Sequence, residues 1–583
     1  MTRKILAASA WMLPALAACV LLTGYRVHLV DEAYGRYTGC LGCLDASVWA
    51  NDGYLAGAFV AIFALSRLTA NRLARPILAG AVAGSAVAYG VDVLVFRMLA
   101  HRLVTTDVLH YGGEGLDLLT VVQPLLAHAE GWLLMGGIVA MSLLGAIAIL
   151  SGAASRKAAG VWGGVCAGMI VASSGVHRPT YVHPDALRNV VQVNLEAEPS
   201  PPYSEDMWLA LQGRPERPPA CGAGLDRDVP VILLVVESLS AYHSKLFSGL
   251  ADDTPNLDRI ARANTYYPQF TANGFSTEGG LIALLTGHVP LPTVGRGGSV
   301  MSFTDVEGDF HRELRREGYY TAFFTSGDLS FGARAEWLAA IGIEHAEGAS
   351  HPFYSGMPRG PFRAAPDAAL FDRFLQWYDR ERPARSFMAT ILTVQTHPPY
   401  GMPGEANDED ARFRTVDADV ARFVEGLGRR GFFRDGLLVV VGDHRAMTPL
   451  DQQEEVAMRP GAPWRVPLVV IGRAAAGHGA QPGRFQQVDL IPSLSALIGD
   501  HACRTAWQGS FLGAAPQPAR FAIAPDPQQR DRVSVLEGAS EYRVVLDGDR
   551  TRWLEPPDDA AAAAELIDHV NRERISRMAG MRP

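Results

Sequence analysis

Two patterns of apolar residues divide the chain. As far as Val176 they come in long, nearly uninterrupted runs, at about residues 5–24, 53–66, 77–97, 131–150 and 158–176. Each is near the length that crosses a hydrocarbon core, the second being the shortest, so the pattern predicts an N-terminal bundle of five transmembrane helices. From Val229 the runs shorten to "VILLVV", "YTAFFT", "SFMATILT", "LLVVV" and "PLVVIG". Between them the period becomes helical, near Pro255–Asn264, Ala335–Ile341, Val416–Arg429 and Val488–Gly499. Strands alternating with helices predict an α/β domain whose sheet is largely parallel and covered on both faces. After about Arg520, "RFAIAP", "RVSVLEG" and "YRVVLDG" predict a small antiparallel sheet, and "AAAAAELIDHVNRERISRM" a terminal helix.

The stretch from His183 to Asp228 is rich in proline and charge and reads as a connector with one or two surface helices. "GLDLLTVVQPLLAHAE", Gly115–Glu130, is amphipathic and reads as a segment lying in the membrane interface. The expected organisation is therefore a transmembrane domain over 1–176, a linker over 177–228, an α/β domain over 229–519 and a small β/α extension over 520–583. No internal repeat is present.

Charge orients the bundle. Arg3 and Lys4, then Arg67, Arg72 and Arg75, then Arg156 and Lys157 fall in alternate segments, and the loops between them lean acidic through Asp31, Glu32, Asp45, Asp107 and Glu114. Lys and Arg favour the cytoplasmic side, so five spans starting inside leave everything after Val176 outside the cytoplasm. "LAAC", Leu16–Cys19, has the form of a lipoprotein cleavage site, but "VLLTG" follows it and the later spans make a lipid anchor redundant. A hydrophobic content of 48% fits a membrane protein. The net charge of −9 and pI near 6.0 exclude the basic footprint of a nucleic-acid binder. Of six cysteines, Cys40 and Cys43 form "CLGC" in an outer loop, too few ligands for a zinc site, and Cys221 and Cys503 fall in the outer region where oxidation is permitted.

The chemistry gathers at strand ends. "VILLVV" stops at Glu237, "YTAFFT" at Ser326, "SFMATILT" is followed by His397, and "LLVVV" by Gly442, Asp443 and His444. The C-terminal edge of an open α/β sheet is where ligands bind. A carboxylate ending a buried strand is costly without a cationic partner. Glu237, Asp443 and His444 together make a carboxylate–carboxylate–imidazole set suited to a divalent cation such as Mn²⁺ or Zn²⁺. Taken singly, Glu237 reads equally well as a helix cap and Asp443–His444 as a turn. "TANGFSTEGGLIALLTG" adds a helix that opens at Glu278, with Ser276 or Thr277 at its mouth and Gly279–Gly280 allowing close backbone approach. Such a terminus offers N–H groups to a phosphate, although the same residues serve as a plain N-cap.

In this order the segments "VVESLS", "FSTEGGL", "LTVQTHPPYG" and "VGDHRAM" resemble the lipoteichoic acid synthase and phosphoglycerol transferase family, a membrane branch of the alkaline phosphatase and sulfatase superfamily. The likeness covers about Val229–Gly499, and the last two segments are most similar to the Gram-negative phosphoglycerol transferases. The resemblance implies one divalent metal, usually Mn²⁺ with Zn²⁺ or Mg²⁺ as alternatives, held by Glu237, Thr277, Asp443 and His444. It implies Thr277 as nucleophile, His397 in catalysis and substrate contact, and Arg334 in "SFGARAEW" as a substrate-binding cation. It further implies a phospholipid donor such as phosphatidylglycerol, a glycan acceptor, and a multi-pass inner-membrane protein with its enzymatic domain in the periplasm. Where the synthases carry tryptophan two residues before the basic position, this chain has Gly332, which predicts a missing acceptor wall. Sulfatases share the implied fold, but their nucleophile stands in a Cys/Ser-x-Pro-x-Arg context that "FSTEGGL" lacks. Phosphoethanolamine transferases differ at the first ligand strand, where a Gly-Glu-Thr pattern replaces "VESLS".

Overall fold

The computed structural model describes residues 11–31, 42–68, 73–99, 102–105, 129–151, 155–176, 187–196, 203–214, 219–222, 228–292, 300–304, 310–398, 400, 405, 407–472, 478–498, 502–512, 516–527, 529 and 531–577. They fall into two compact units, one holding the described residues up to Glu196 and the other those from Tyr203 onward. Cys40 and most of Gly115–Glu130 lie outside the described residues.

The first unit is built on five helices: α1 (Met12–Val30), α2 (Asp45–Leu68), α3 (Ala74–Leu99), α4 (Ala129–Ser151) and α5 (Arg156–Ser174). Most of the large apolar side chains left exposed among the described residues stand on them, including Leu21, Leu65, Ile77, Leu133 and Val171. An apolar surface of that extent belongs against hydrocarbon. Four of the helices, α1 to α4, are long and apolar enough to cross a membrane. The fifth falls short of the expected five, because Arg156 and Lys157 occupy its first turn and Gly160, Gly163, Gly164 and Gly168 dilute its apolar run. It nevertheless lies antiparallel along α2. Ile170 sits over Gly57, the Trp162 ring meets Phe63 edge-on at 5.5 Å, and a Cβ on Gly53 would come within 2.3 Å of Ser173 Oγ. Beyond α5 a short helix, α6 (Val190–Glu196), completes the unit.

The second unit is centred on an eight-stranded sheet. Its strands in chain order are β1 (Val231–Val236), β2 (Thr265–Tyr266), β3 (Tyr320–Thr325), β4 (His345–Glu347), β5 (Phe387–Leu392), β6 (Leu437–Gly442), β7 (Leu468–Gly472) and β8 (Gly479–Ala480). In space they run β8-β2-β7-β6-β1-β5-β3-β4, and only β7 opposes the rest. Every residue of β1 is buried. Val231, Leu233 and Val235 enter one apolar cluster and Ile232, Leu234 and Val236 the other, so helices cover both faces.

Among the helices is α7 (Thr277–Thr286), which packs at the C-terminal edge of the sheet. Behind it lies a four-stranded antiparallel sheet, β9 (Ala522–Pro525), β10 (Arg532–Glu537), β11 (Ser540–Val545) and β12 (Arg552–Glu555), closed by α8 (Ala560–Ser576). The last strand was not expected, since "RWLE" is short and mostly exposed. Val533, Val535, Val544, Leu566 and Val570 share a cluster with Ala283 of α7, so this extension buttresses the back of that helix. A disulfide joins Cys221 to Cys503 across a two-stranded ladder, and Cys43 is also disulfide-bonded.

Candidate active site

The ends of β1 and β6 are neighbours in register, Val236 beside Gly442, so Glu237 and Asp443–His444 emerge together. Glu237, Asp443 and His444 are buried, and one ligand atom from each lies within 4.8 Å of the others. His444 Nε2 is 3.3 Å from Glu237 Oε1 and 3.4 Å from Asp443 Oδ2. Its Nδ1 bonds the Arg445 carbonyl at 2.8 Å, which as a donor contact turns Nε2 toward the carboxylates.

Backbone geometry holds the cluster. Ser238 has φ of 57°, one of four positive-φ residues other than glycine among those described. That conformation aims its N–H at Asp443 Oδ1 (2.7 Å) while its hydroxyl donates to Glu237 Oε1 (2.9 Å). Strain of this kind persists only where the surroundings fix it. Asp443 Oδ1 also accepts from the His444 N–H at 2.8 Å, whereas Asp443 Oδ2 is buried with no hydrogen-bond partner.

The two hydroxyls at the mouth of α7 divide their work. Ser276 is the N-cap, its Oγ accepting from the Gly279 N–H at 3.3 Å. Thr277 is therefore free of that duty, and its Oγ1 donates to Glu237 Oε2 at 3.0 Å and stands 3.5 Å from His444 Nε2. Close approach depends on Gly280, where a Cβ would meet the Asp443 carbonyl oxygen at 2.2 Å. No residue but glycine fits between this helix and the β6 loop.

Charge is unbalanced here. Burial raises the Glu237 carboxyl, but the hydrogen bond and charge of His444, with His397 behind, bring it down to about 2. Burial and then the Glu237 carboxylate push Asp443 up to about 8. Burial lowers His444, yet Asp443 and Glu237 outweigh it and raise the imidazole to about 9. The set thus holds a proton in the position a cation would take. An orphaned buried carboxylate oxygen, two carboxylates and an imidazole nitrogen fit a divalent ion.

His397 lies beyond β5 with its Nδ1 bonded to the Pro398 carbonyl. Burial lowers its pKa, with Glu237 and the Pro398 carbonyl opposing. The Phe362 ring stands edge-on to it at 4.7 Å. Arg334 opens the helix Arg334–Ala340, directly after Gly332 (φ 65°) and Ala333 (φ 52°). Phe331 of the same loop meets Phe362 at 4.8 Å, so a chain of rings links the Arg334 loop to His397. Thr277, Glu237, Asp443 and His444 are thus brought into one cluster, and His397 and Arg334 stand on loops beside one another.

Supporting residues escaped the sequence reading. Gln487 donates through Nε2 to the carbonyls of Gly442 (2.9 Å) and Asp443 (2.6 Å), and its Oε1 accepts from Asn273 N at 2.9 Å, tying the β6 loop to the segment before α7. Asp367 accepts from the N–H groups of Val394 and Gln395 at 3.0 Å each and so holds the loop that leads to His397. The available signal was weak: a buried amide after a strand, and an aspartate following proline.

The chain resembles known proteins in this region. The sulfatase family model matches residues 230–500. A phosphoglycerol transferase I from Xanthomonas campestris pv. campestris is 25% identical over 253 residues, 39% of this chain and 35% of the relative. One from Escherichia coli (strain 55989 / EAEC) is 25% identical over 153 residues, 23% of this chain and 20% of the relative. The chain thus spans about a third or less of the length of these curated relatives. Among solved structures, a protein in the alkaline phosphatase superfamily from Vibrio parahaemolyticus aligns with TM-score 0.47 and 18% identity, over 64% of this chain and 93% of that one. The lipoteichoic acid synthase LtaP from Listeria monocytogenes aligns with TM-score 0.45 and 16% identity, over 63% and 96%. Residues 230–500 match the sulfatase family model, and among the described residues that precede them four helices are long and apolar enough to cross a membrane.

Proposed function

We propose that this protein is a membrane phosphotransferase that moves a phosphoglycerol headgroup from a phospholipid such as phosphatidylglycerol to a glycan hydroxyl outside the cytoplasm. The observation that carries the reading is the Thr277 hydroxyl, released from capping by Ser276 and hydrogen-bonded to Glu237 beside the Asp443–His444 pair. The names of the matched relatives support the headgroup. In this reading Glu237, Thr277, Asp443 and His444 hold one divalent cation, Mn²⁺ by resemblance, which supplies charge neutralisation at the phosphoryl oxygens and acidity at the hydroxyl.

The chain's own groups then divide the steps. Thr277 Oγ1 passes its proton to Glu237 Oε2, to which it already donates at 3.0 Å, and attacks phosphorus; the bond from phosphorus to the diacylglycerol oxygen breaks and a phosphothreonine forms. His397, neutral because burial lowers it and with Nδ1 engaged by Pro398, offers Nε2 to the hydroxyl of the incoming acceptor. The proton taken there goes to the next diacylglycerol oxygen, the first one drawing its proton from water, and the proton held by Glu237 returns to Thr277 Oγ1 as the phosphothreonine bond breaks. Arg334 is assigned to the headgroup. An N-terminus inside is supported by the Lys/Arg alternation, and the Cys221–Cys503 disulfide suits an oxidising compartment for the α/β domain. Hydrolysis of soluble sulfate or phosphate esters is a second reading, favoured by the family model that matches.

The test is the adduct. Full-length protein incubated with phosphatidylglycerol vesicles and no acceptor is expected to carry phosphoglycerol on Thr277 in the peptide containing "FSTEGG", located by fragmentation mass spectrometry. Thr277→Ala should form none and Ser276→Ala should still form it. An adduct on Ser276, or full activity in Thr277→Ala, overturns the assignment.

A further inference from the structure

Two loops beside His397 carry three of the four positive-φ residues other than glycine among those described: Ala333 at 52°, Phe362 at 52° and Arg363 at 56°. Such backbone conformations are strained and cluster where a side chain must be presented in one way. What they present is Phe362, half-exposed, between His397 on one side and half-exposed Phe331 on the other. The loops are tied together at this point. The Asp328 N–H donates to the Phe362 carbonyl at 2.9 Å, and the Asp328 carboxylate meets Arg363 Nη1 at 3.1 Å. Asp328 also accepts from the Ser330 N–H and hydroxyl at 3.0 and 2.9 Å, which keeps its carboxylate at the rim of the rings. Arg363 is 63% exposed.

We propose that Phe331 and Phe362, with the Asp328–Arg363 rim, form the acceptor subsite and bind a sugar ring, setting the specificity of the transfer described above. The inference rests on that transfer reading and adds the residues that choose its acceptor. The tryptophan position of the synthases is Gly332 here, and the aromatic wall comes instead from a loop thirty residues further along, at Phe362. Two half-exposed rings that meet at 61° and carry no hydrogen-bonding atoms suit the C–H groups of a pyranose, while a carboxylate and a guanidinium beside them suit its hydroxyls. A lipid chain fits this place poorly, because it would desolvate an ion pair at the rim. Contact of Phe362 with His397 places a stacked sugar where its hydroxyl reaches the Nε2 that takes the acceptor proton.

The experiment measures two acceptors and one donor reaction with full-length enzyme in phosphatidylglycerol vesicles. Transfer to neutral oligosaccharides is compared with transfer to glycerol, which has a hydroxyl but no ring, and diacylglycerol release is followed without acceptor. In Phe362→Ala the KM for the oligosaccharide is expected to rise about tenfold, the loss of one well-buried aromatic contact. Glycerol transfer and diacylglycerol release should fall by less than the oligosaccharide reaction, and Phe362→Trp should restore the oligosaccharide KM. Phe331→Ala, at an ordinary backbone position, is expected to act in the same direction and serves if the first variant folds poorly. Equal losses with glycerol and oligosaccharide, or a fall in diacylglycerol release with the oligosaccharide KM unchanged, overturn the subsite. Absence of diacylglycerol release from the unaltered enzyme overturns the donor reading itself, and the subsite with it.

Discussion

Among the buried charges of the described residues, one group in each unit can be set side by side, and the two meet the cost of burial in opposite ways. In the helical unit Arg26 of α1 pairs with Asp52 of α2, which also accepts the Tyr89 hydroxyl of α3. Arg102 pairs with Asp92 through two nitrogens. Two cations face two anions. Further donors fasten the chain beyond α5: Arg26 and Asn51 each donate to the Leu187 carbonyl at 2.9 Å, and Asn189 Nδ2 donates to the Asn51 carbonyl at 2.6 Å. At the sheet edge two carboxylates face one imidazole, and Asp443 Oδ2 receives nothing. A cluster that neutralises itself is architecture, whereas one that leaves a carboxylate unmet is arranged around something that arrives.

The largest expected effect breaks that contrast at the sheet edge. Asp443→Asn keeps the shape and removes the unbalanced charge, so turnover should fall about 10⁴-fold, or ~5.5 kcal/mol, if the divalent ion is the principal source of charge stabilisation. Metal analysis of the purified variant should show the bound ion lost while circular dichroism stays unchanged. Retained metal and normal turnover would mean that the imbalance has another purpose. In the helical unit the corresponding change acts on stability alone. Asp52→Ala leaves Arg26 buried without its counter-charge and should cost about 3–5 kcal/mol, read as a lower unfolding temperature in detergent. Adding Arg26→Leu should recover most of the loss, since removing both members of a buried pair is often neutral. No second substitution should rescue Asp443→Asn in this way. A double variant as unstable as the single one would show that the helical cluster is more than a balanced pair.

Much of this contrast was legible in the sequence, and the reasons for the rest are physical. Glu237, Asp443 and His444 could be placed because each follows a short apolar run, and strand ends in such a sheet share an edge. Thr277 could be preferred to Ser276 by a resemblance and by its place immediately before Glu278, but not by residue type, because both are hydroxyls at a helix mouth and capping is decided by backbone angles. The helical cluster was not read at all, since Asp52, Asp92 and Arg26 look like isolated interruptions of apolar runs until three helices are packed together. Phe362 gave no sign either, because a positive φ on phenylalanine follows from its neighbours and not from its own preference. The fifth helix was expected to span on the strength of its length, and its glycines, which let it pack on α2, are what keep it less apolar than the others.

Asp367 offers a third arrangement and the smallest effect. Like Asp443 it is a buried carboxylate with no cation, but two N–H groups, those of Val394 and Gln395, occupy it. Burial still outweighs them and pushes it up to about 7. A carboxyl raised in the folded state contributes stability that is whole below its unfolded value, 3.8, and is lost as pH rises through about 7. Asp489, holding Gly509 N and Gln486 N, is raised to about 7 for the same reason and acts in the same window. In metal-loaded protein, between about pH 5 and 7, each group should therefore remove about 1.4 kcal/mol of stability per pH unit. Asp367→Asn should take away its share and roughly halve the slope, as measured by denaturant unfolding across that range. At about pH 4 it should lower stability slightly, because an amide has one acceptor oxygen for two N–H groups, and the two stability curves should cross as pH rises toward 7. Turnover ought to follow the loop and not the metal: a modest fall in kcat with full metal content, since Asp367 orients the segment leading to His397 and touches no metal ligand. An unchanged slope would show that the N–H groups alone keep Asp367 ionised, and that a buried carboxylate here needs neither a cation nor a proton.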